Sequence, residues 1–368
     1  MIHYIFVRKT GIMNIDIDFL TEEAVELLKL LIQTPSTSRE ETKAADLLEM
    51  YLQERGIETN RDGNNVWCMA PGYDYQKPTL LLNSHIDTVK PVSTWKRDPF
   101  GATVEQGKLY GLGSNDAGAS LVSLLQVFRE LSKSNQPYNL IFLASAEEEV
   151  SGKNGIEMIL PQLPPIQVAL VGEPTQMQPA IAEKGLMVLD VTAYGKSGHA
   201  ARNEGINAIY QALEDIQWFR DYRFEQESDL LGPVKMSVTV IQSGTQHNVI
   251  PDQCHFVVDV RSNEKYSNQQ IYDTVCQHIK SQAKARSFRL NSSAISPEHP
   301  IIKRAVELGK CPFGSPTLSD QALMHFPSLK MGPGHSSRSH TADEYIEVKE
   351  IEEAIVTYYR LLHGLNLD

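Results

Sequence analysis

The sequence predicts an α/β fold, with a mostly parallel central sheet and an inserted ferredoxin-like α+β unit. Three observations carry that expectation. Short apolar runs alternate with amphipathic helical stretches, the pattern of strand–helix units in a parallel sheet. Several of those runs end in histidine or carboxylate residues, at the strand ends where such sheets bind ligands. From about residue 178 the strands alternate between polar and apolar residues, which marks a separate, half-exposed sheet.

Taken in order, Leu20, Ala24, Leu27, Leu28, Leu31 and Ile32 recur at helical spacing and stop before Pro35. A second amphipathic helix is expected from Arg39 to Arg55, ended by Gly56. Thr79-Leu80-Leu81-Leu82-Asn83 reads as a buried strand that delivers Ser84-His85-Ile86-Asp87. Asn115-Asp116 leads into a helix of small and apolar residues, Ala117 to Leu131. The run Leu140 to Ala144 delivers Glu147-Glu148-Glu149, and Gln167 to Val171 delivers Gly172-Glu173-Pro174. In the inserted unit, strands are expected at Lys184–Tyr194, Val234–Gln242 and His255–Arg261, with helices at Gly198–Arg223 and Ser267–Lys284. Strand-helix-strand-strand-helix resembles a ferredoxin-like sandwich. The chain then returns to mixed α/β character with a helix at Pro300–Gly309, a strand at Leu329–Gly332 and a last helix at Lys349–Leu362. The expected division is therefore 1–177 and 288–368 for the larger domain and 178–287 for the insertion.

At 368 residues the chain has room for two cores. Its 46 acids against 34 lysines and arginines, a net charge of −12, argue against nucleic acid or an anionic membrane as partner. No apolar run approaches the roughly 20 residues of a membrane-spanning helix. The four cysteines form no Cys-x-x-Cys pair, so a disulfide scaffold or zinc ribbon is not expected and a cytoplasmic setting is. The first residues lack the charge order of a signal peptide. Met13 offers an alternative start, with residues 1–12 as an upstream extension.

Three adjacent glutamates at one strand end repel one another, and a bound cation is the simplest compensation. Zinc takes imidazole nitrogen and carboxylate oxygen, and one aspartate can bridge two metals about 3.5–4 Å apart. Singly, these residues have plainer readings. Asp116 precedes a helix like an N-cap, Glu173 is a loop acid, His340 sits in turn-like sequence, and a lone His85 is more often structural. Together they form a set of two histidines and several carboxylates without a thiolate.

The motifs Ser84-His85-Ile86-Asp87-Thr88-Val89, Tyr110-Gly111-Leu112-Gly113-Ser114-Asn115-Asp116, Glu147-Glu148-Glu149, Gly172-Glu173-Pro174-Thr175 and Ser339-His340-Thr341 resemble, in order and spacing, the di-zinc aminoacylase, acetylornithine deacetylase and succinyl-diaminopimelate desuccinylase family of metallopeptidases. The resemblance implies a zinc-peptidase-like catalytic domain and an inserted dimerisation domain. It implies two Zn²⁺ per chain, with Co²⁺ able to substitute. His85 and Glu173 would hold one ion, Glu149 and His340 the other, and Asp116 would bridge. Asp87 would orient His85, and Glu148 would act as general base and acid. The family usually shows Asp-Glu-Glu at the glutamate triplet. Alignment on Val150-Ser151-Gly152 favours Glu148 as base and Glu149 as ligand. Ser197-Gly198-His199 matches the family segment whose histidine supports the oxyanion, often from the partner subunit of a homodimer. Asn248 and Arg261 match positions that bind substrate oxygens; taken alone they are a turn asparagine and a strand-edge arginine.

The implied activity is removal of an acyl group from the α-nitrogen of an amino acid, as in acetylornithine deacetylase acting on acyl-ornithine or acyl-citrulline in arginine biosynthesis. The alternatives are a succinyl-diaminopimelate desuccinylase, a dipeptidase or carboxypeptidase, and, in another class, a non-catalytic metal-binding protein that keeps the fold. Ala117-Gly118-Ala119 replaces the family's common Met-Lys-Gly, and His335 and Arg338 are extra basic groups near His340.

Overall fold

The apolar runs fold into neighbouring strands of one sheet. The computed structural model describes residues 15–202 and 204–367; Met13 and residues 1–12 lie outside them. Helix α1 (Ile17–Ile32) is capped by Asp16, whose side chain accepts the Phe19 N–H. Helix α2 spans Thr42–Glu54. It starts three residues later than expected, because Arg39 takes a left-handed backbone, φ 76°. Strands β1 (Asn60–Asp62), β2 (Asn65–Met69), β3 (Thr79–His85), β4 (Thr103–Glu105) and β5 (Lys108–Tyr110) follow. Helix α3 (Ala119–Leu131) leads to β6 (Asn139–Ser145), the short α4 (Ile156–Ile159), β7 (Val168–Val171) and β8 (Ala180–Glu183).

The insertion comprises β9 (Met187–Tyr194), β10 (Gly198–His199), α5 (Ala208–Asp221), β11 (Lys235–Ser243), β12 (Val249–Ile250), β13 (Gln253–Arg261), α6 (Asn268–His278) and β14 (Gln282–Ala285). The chain closes with β15 (Ser293–Ala294), α7 (Pro300–Glu307), β16 (Phe313–Ser315), β17 (Ser328–Lys330), β18 (Tyr345–Glu347) and α8 (Val348–Leu362).

The large sheet runs β1-β2-β6-β3-β7-β17-β8-β15, with β16 beside β8. Its centre, β6-β3-β7-β17, is parallel, as the alternation of strands and helices requires. All seven residues of β3 and of β6 are buried. Alternation sends Leu80, Leu82, Leu140 and Phe142 to one face, where they pack with α1, α3 and α8. Leu81, Ile141 and Leu143 go to the other, against Ile156, Ile159 and Leu323.

The insertion has its own antiparallel sheet, ordered β11-β13-β9-β14, and its own core around Leu189, Val191, Phe219, Phe256, Val258 and Ile271. Two expectations need correction here. The helix placed at Gly198–Arg223 begins only at Ala208, capped by Asn207; Gly198 and His199 instead pair with Ile250 and Val249. The helix placed at Ser267–Lys284 ends at His278, and Gln282–Ala285 forms a fourth strand against β9. That strand completes the βαββαβ order of a ferredoxin-like unit. The crossing out of the large sheet falls between β8 and β9, a few residues past 178.

Candidate metal centre

His85 is the last residue of β3, which β6 and β7 hold on both sides. Its ring is buried, with Nδ1 2.9 Å from the Asp87 carbonyl and 3.5 Å from Asp87 Oδ1. Donation from Nδ1 to that carbonyl leaves Nε2 with its lone pair free. Nε2 points at acids, 3.3 Å from Asp116 Oδ1 and 4.0 Å from Glu173 Oε1.

Asp116 lies in the turn between β5 and α3. Buried Glu344 fixes that turn by accepting the N–H groups of Gly113 (3.2 Å), Asn115 (2.8 Å) and Asp116 (2.9 Å). Gly113 stands at φ 76°, a conformation open to glycine at little cost. The second carboxylate oxygen, Asp116 Oδ2, is 3.6 Å from His340 Nε2. Asp116 thus has one oxygen towards each histidine. Nε2 of His340 is also 2.9 Å from Glu149 Oε2. His85 is closed off from solvent, whereas the His340 side chain is 53% exposed.

The three glutamates separate by backbone geometry. Glu147, at φ 55°, turns inward and accepts the Asn154 side-chain N–H at 2.9 Å. Gly152 permits this, since a Cβ there would meet Glu147 Oε2 at 1.8 Å. Glu148 and Glu149 turn the other way, with their N–H groups donating to Asp87 Oδ1 (3.0 Å) and Oδ2 (3.1 Å). Asp87 therefore touches both His85 and the glutamate segment. Glu173 follows β7 through Gly172, where a Cβ would come within 2.8 Å of both Leu124 and Ser120 on α3.

Electrostatics follow from this crowding. Burial, and then the Asp116 charge, push the Glu173 carboxyl up to about 8. Burial raises Glu148 well above the carboxylate range; His85 opposes the rise, while Glu173, Asp320 and Glu149 add to it. The hydrogen bond that His340 donates to the Glu149 carboxylate lifts its imidazole to about 9. Burial works against ionised Asp116, but contact with His85 outweighs it and holds the carboxyl below its usual value. Such a set fits divalent cations. Its donors are imidazole nitrogens and hard oxygens, and His85, Asp116 and Glu149, like His85, Glu148 and Glu173, offer ligand atoms within 4.8 Å of one another.

These groups border a cavity of about 340 Å³. Asp116, Glu148, Glu149, Glu173 and His340 line it together with Phe313, Pro316, Thr317, Leu318 and Lys330. His199, Asn248 and Arg261 are not among its lining residues. His199 and Asn248 are neighbours in the insertion, exposed and linked by the Ala200 N–H to Asn248 carbonyl bond at 3.0 Å. Arg261 pairs with Asp259 at 2.8 Å. Sequence reasoning missed Glu344, Asp320 and Lys330. Asp320 is a buried acid raised to about 6 by burial, and its carboxylate accepts the Ser145 hydroxyl at 2.6 Å. Glu344, four residues after His340, was the one within reach of a motif.

A parallel sheet that gathers two imidazoles and several carboxylates beside one cleft defines a metal-dependent hydrolase. The chain belongs to Peptidase family M20/M25/M40, whose family model matches residues 81–364. Among curated proteins it is similar to succinyl-diaminopimelate desuccinylase 2 of Ruegeria sp. (strain TM1040), 26% identical over 92% of this chain and 94% of that one. It is also similar to acetylornithine deacetylase of Proteus mirabilis (strain HI4320), 28% identical over 89% and 93%. Among solved structures, aminopeptidase PepT from Bacillus cereus shares the fold at a TM-score of 0.74, with 19% identity over 93% of this chain and 98% of that one. The Bacillus subtilis YXEP protein, described as a dinuclear metal binding peptidase, matches at 0.71, with 17% identity over 94% and 98%. The family resemblance read from the motifs therefore holds.

Proposed function

We propose that this hydrolase is a zinc-dependent Nα-deacylase of amino acids, of the acetylornithine deacetylase type, acting on an acyl-ornithine or acyl-citrulline in the arginine-forming route of the cytoplasm. The observation that carries the reading is Asp116, with Oδ1 towards His85 and Oδ2 towards His340. A carboxylate so placed suits a bridge between two ions. His85 and Glu173 would hold one ion and Glu149 and His340 the other. When bound, the ions supply Lewis acidity for a water and for the substrate carbonyl.

The chain's own groups do the rest. Glu148 borders the same cavity and takes the proton of the attacking water, then delivers it to the departing amine. Burial raises its carboxyl above the ordinary carboxylate range, the direction that strengthens a carboxylate as a proton acceptor. Asp87 holds His85 and the backbone of Glu148 and Glu149 in one frame. Arg261 offers a bidentate partner for the substrate α-carboxylate, and Asn248 and His199 offer donors to its oxygens.

Those three residues stand outside the cavity, so the reading includes a homodimer in which the insertion of one protomer completes the site of the other. Open edge strand β11 supports it, with Val240 and Ile241 exposed, as do Tyr210 and Leu213 on α5. The insertion, about 178–287, is assigned as the dimerisation domain and the remainder as the catalytic domain. Among the described residues no helix is long and apolar enough to cross a membrane.

The test is hydrolysis of Nα-acetyl and Nα-succinyl amino acids, with dipeptides in the same panel, by zinc-loaded protein. A preference for acetyl-ornithine or acetyl-citrulline is expected. A preference for succinyl-diaminopimelate or for dipeptides would refute this substrate class.

A further inference from the structure

Lys330 is the one lysine or arginine among the described residues lining the cavity, and the proposed chemistry leaves it unused. It ends β17 with its side chain only 3% exposed. Its ammonium lies 2.8 Å from the Thr317 carbonyl, 3.0 Å from Thr317 Oγ1 and 3.1 Å from Glu183 Oε2. An ammonium has three N–H donors. Two of them go to Thr317 and the charge is matched by Glu183, so Lys330 is already partnered inside the protein and is not a docking point for a substrate anion.

Its partner Glu183 ends β8 and is fully buried. Glu183 also accepts the Ser319 N–H (3.2 Å), the Ser319 hydroxyl (2.8 Å) and the Gln321 side-chain N–H (3.0 Å). Besides each other, the two charged groups thus grip one stretch of chain, Thr317 to Gln321. The same stretch is tied at Asp320 to Ser145, at the end of β6. At its start and just before it, Phe313, Pro316, Thr317 and Leu318 line the cavity. This is an apolar and hydroxyl-bearing wall, unlike the acidic side built by Asp116, Glu148, Glu149 and Glu173. Burying an ion pair gives little net stability compared with apolar packing, so such a pair is better explained by what it positions.

We infer that Lys330 and Glu183 form a buried latch that fixes residues 313–318 as the specificity wall of the cavity. They are positioning residues: the latch decides how large an acyl group or side chain fits beside the acids, without touching the reacting atoms. The selectivity part of the inference rests on the hydrolase reading above; the latch itself does not.

Thr317→Val keeps the ion pair and the backbone carbonyl but removes the hydroxyl that meets Lys330 at 3.0 Å and Ser315 at 2.9 Å, and Thr317→Ser restores it. Lys330→Met removes the latch outright and is the variant at risk of misfolding, so Thr317→Val is the primary test. Two readouts are taken on metal-loaded protein: amide hydrogen exchange of peptides covering 313–321, and kcat/KM for a long and a short acyl group on the same amino acid. Each hydrogen bond lost corresponds to about a threefold to tenfold change in an equilibrium, and the Ser315 hydroxyl can turn to another acceptor, so the Lys330 bond sets the scale. In Thr317→Val, exchange across 313–321 should accelerate by about that factor. The long-to-short kcat/KM ratio should rise by a similar factor, carried by KM, with metal content unchanged. Thr317→Ser should return both towards wild type. Unchanged exchange in folded Thr317→Val would overturn the latch. Faster exchange with an unchanged ratio would overturn its role in specificity. Wild-type protein that hydrolyses nothing in the panel would instead refute the deacylase reading, and exchange alone would then decide the latch.

Discussion

Asp87→Asn removes a charge while keeping shape, at the residue that joins the two halves of the centre. Asp87 is 1% exposed. Its Oδ1 accepts the Glu148 N–H at 3.0 Å, and its Oδ2 accepts the Glu149 N–H at 3.1 Å and the Ser38 hydroxyl at 2.7 Å. An asparagine offers one acceptor oxygen. The amide NH₂ must then face a donor it cannot satisfy, whichever way the side chain turns. Hydrogen bonds to a charged group contribute about 1.5–3 kcal/mol, and a stranded buried donor costs about 1–3 kcal/mol. We therefore expect a loss of roughly 2–4 kcal/mol in denaturant unfolding of the metal-free protein. Displacement of His85 and Glu149 should weaken metal binding about tenfold to a hundredfold in competition with a chromogenic chelator. The pH dependence has a definite sign. Burial pushes the Asp87 carboxyl up, but His85, Ser38 and the Glu148 N–H outweigh it and hold it below its ordinary 3.8. Its stabilisation is complete above that ordinary value and is lost as pH falls through the folded one. The gap between wild type and Asp87→Asn should accordingly close in acid. Equal stability and equal metal affinity at neutral pH would refute the framing role given to Asp87.

Glu148→Gln should keep its metal and lose activity by at least about a hundredfold, since an amide cannot take the water's proton; Glu149→Gln should instead lose metal, and the reverse pattern by elemental analysis would exchange the two roles. In metal-free protein, Glu173 and Glu344 are each raised to about 8 from 4.5, chiefly by burial. Their stabilising contribution is full below 4.5 and is lost as pH rises to about 8. Melting temperature should therefore fall across that window and flatten on adding zinc; a metal-free protein equally stable at both ends would contradict it. Glu148→Gln and His199→Ala should each be nearly inactive alone and regain activity as mixed dimers, because one site then combines intact Glu148 with intact His199. Verified mixed dimers as inactive as their parents would exclude action across the interface.

The strands that carry the centre were legible because burial on both faces demands unbroken apolar runs, as in Leu80-Leu81-Leu82 and Leu140 to Ala144. What was misread had no such signal. Gln282–Ala285 is a short edge strand with alternate residues exposed, and its composition of glutamine, alanine and lysine continues a helical pattern as readily as a strand. Gly198-His199 is ordered by pairing with Val249 and Ile250, some fifty residues away, and local periodicity cannot register such a contact. The residues proposed to hold the metal announced themselves through short motifs at strand ends. Their supports did not. Asp320 meets Ser145, and Glu183 meets Lys330, only after the whole sheet has formed.

The apolar side chains of β3 and β6 do not measure out where His85 stops. The distance is set by main-chain hydrogen bonds, from Thr79 against Asn139 to His85 against Ser145, and every residue type except proline can make them. Apolar identities behind the centre are consequently interchangeable so long as volume is kept. A lineage built this way can exchange most of its interior and still bring the same atoms to the same place. That accounts for a fold shared at a TM-score of 0.74 with a protein only 19% identical.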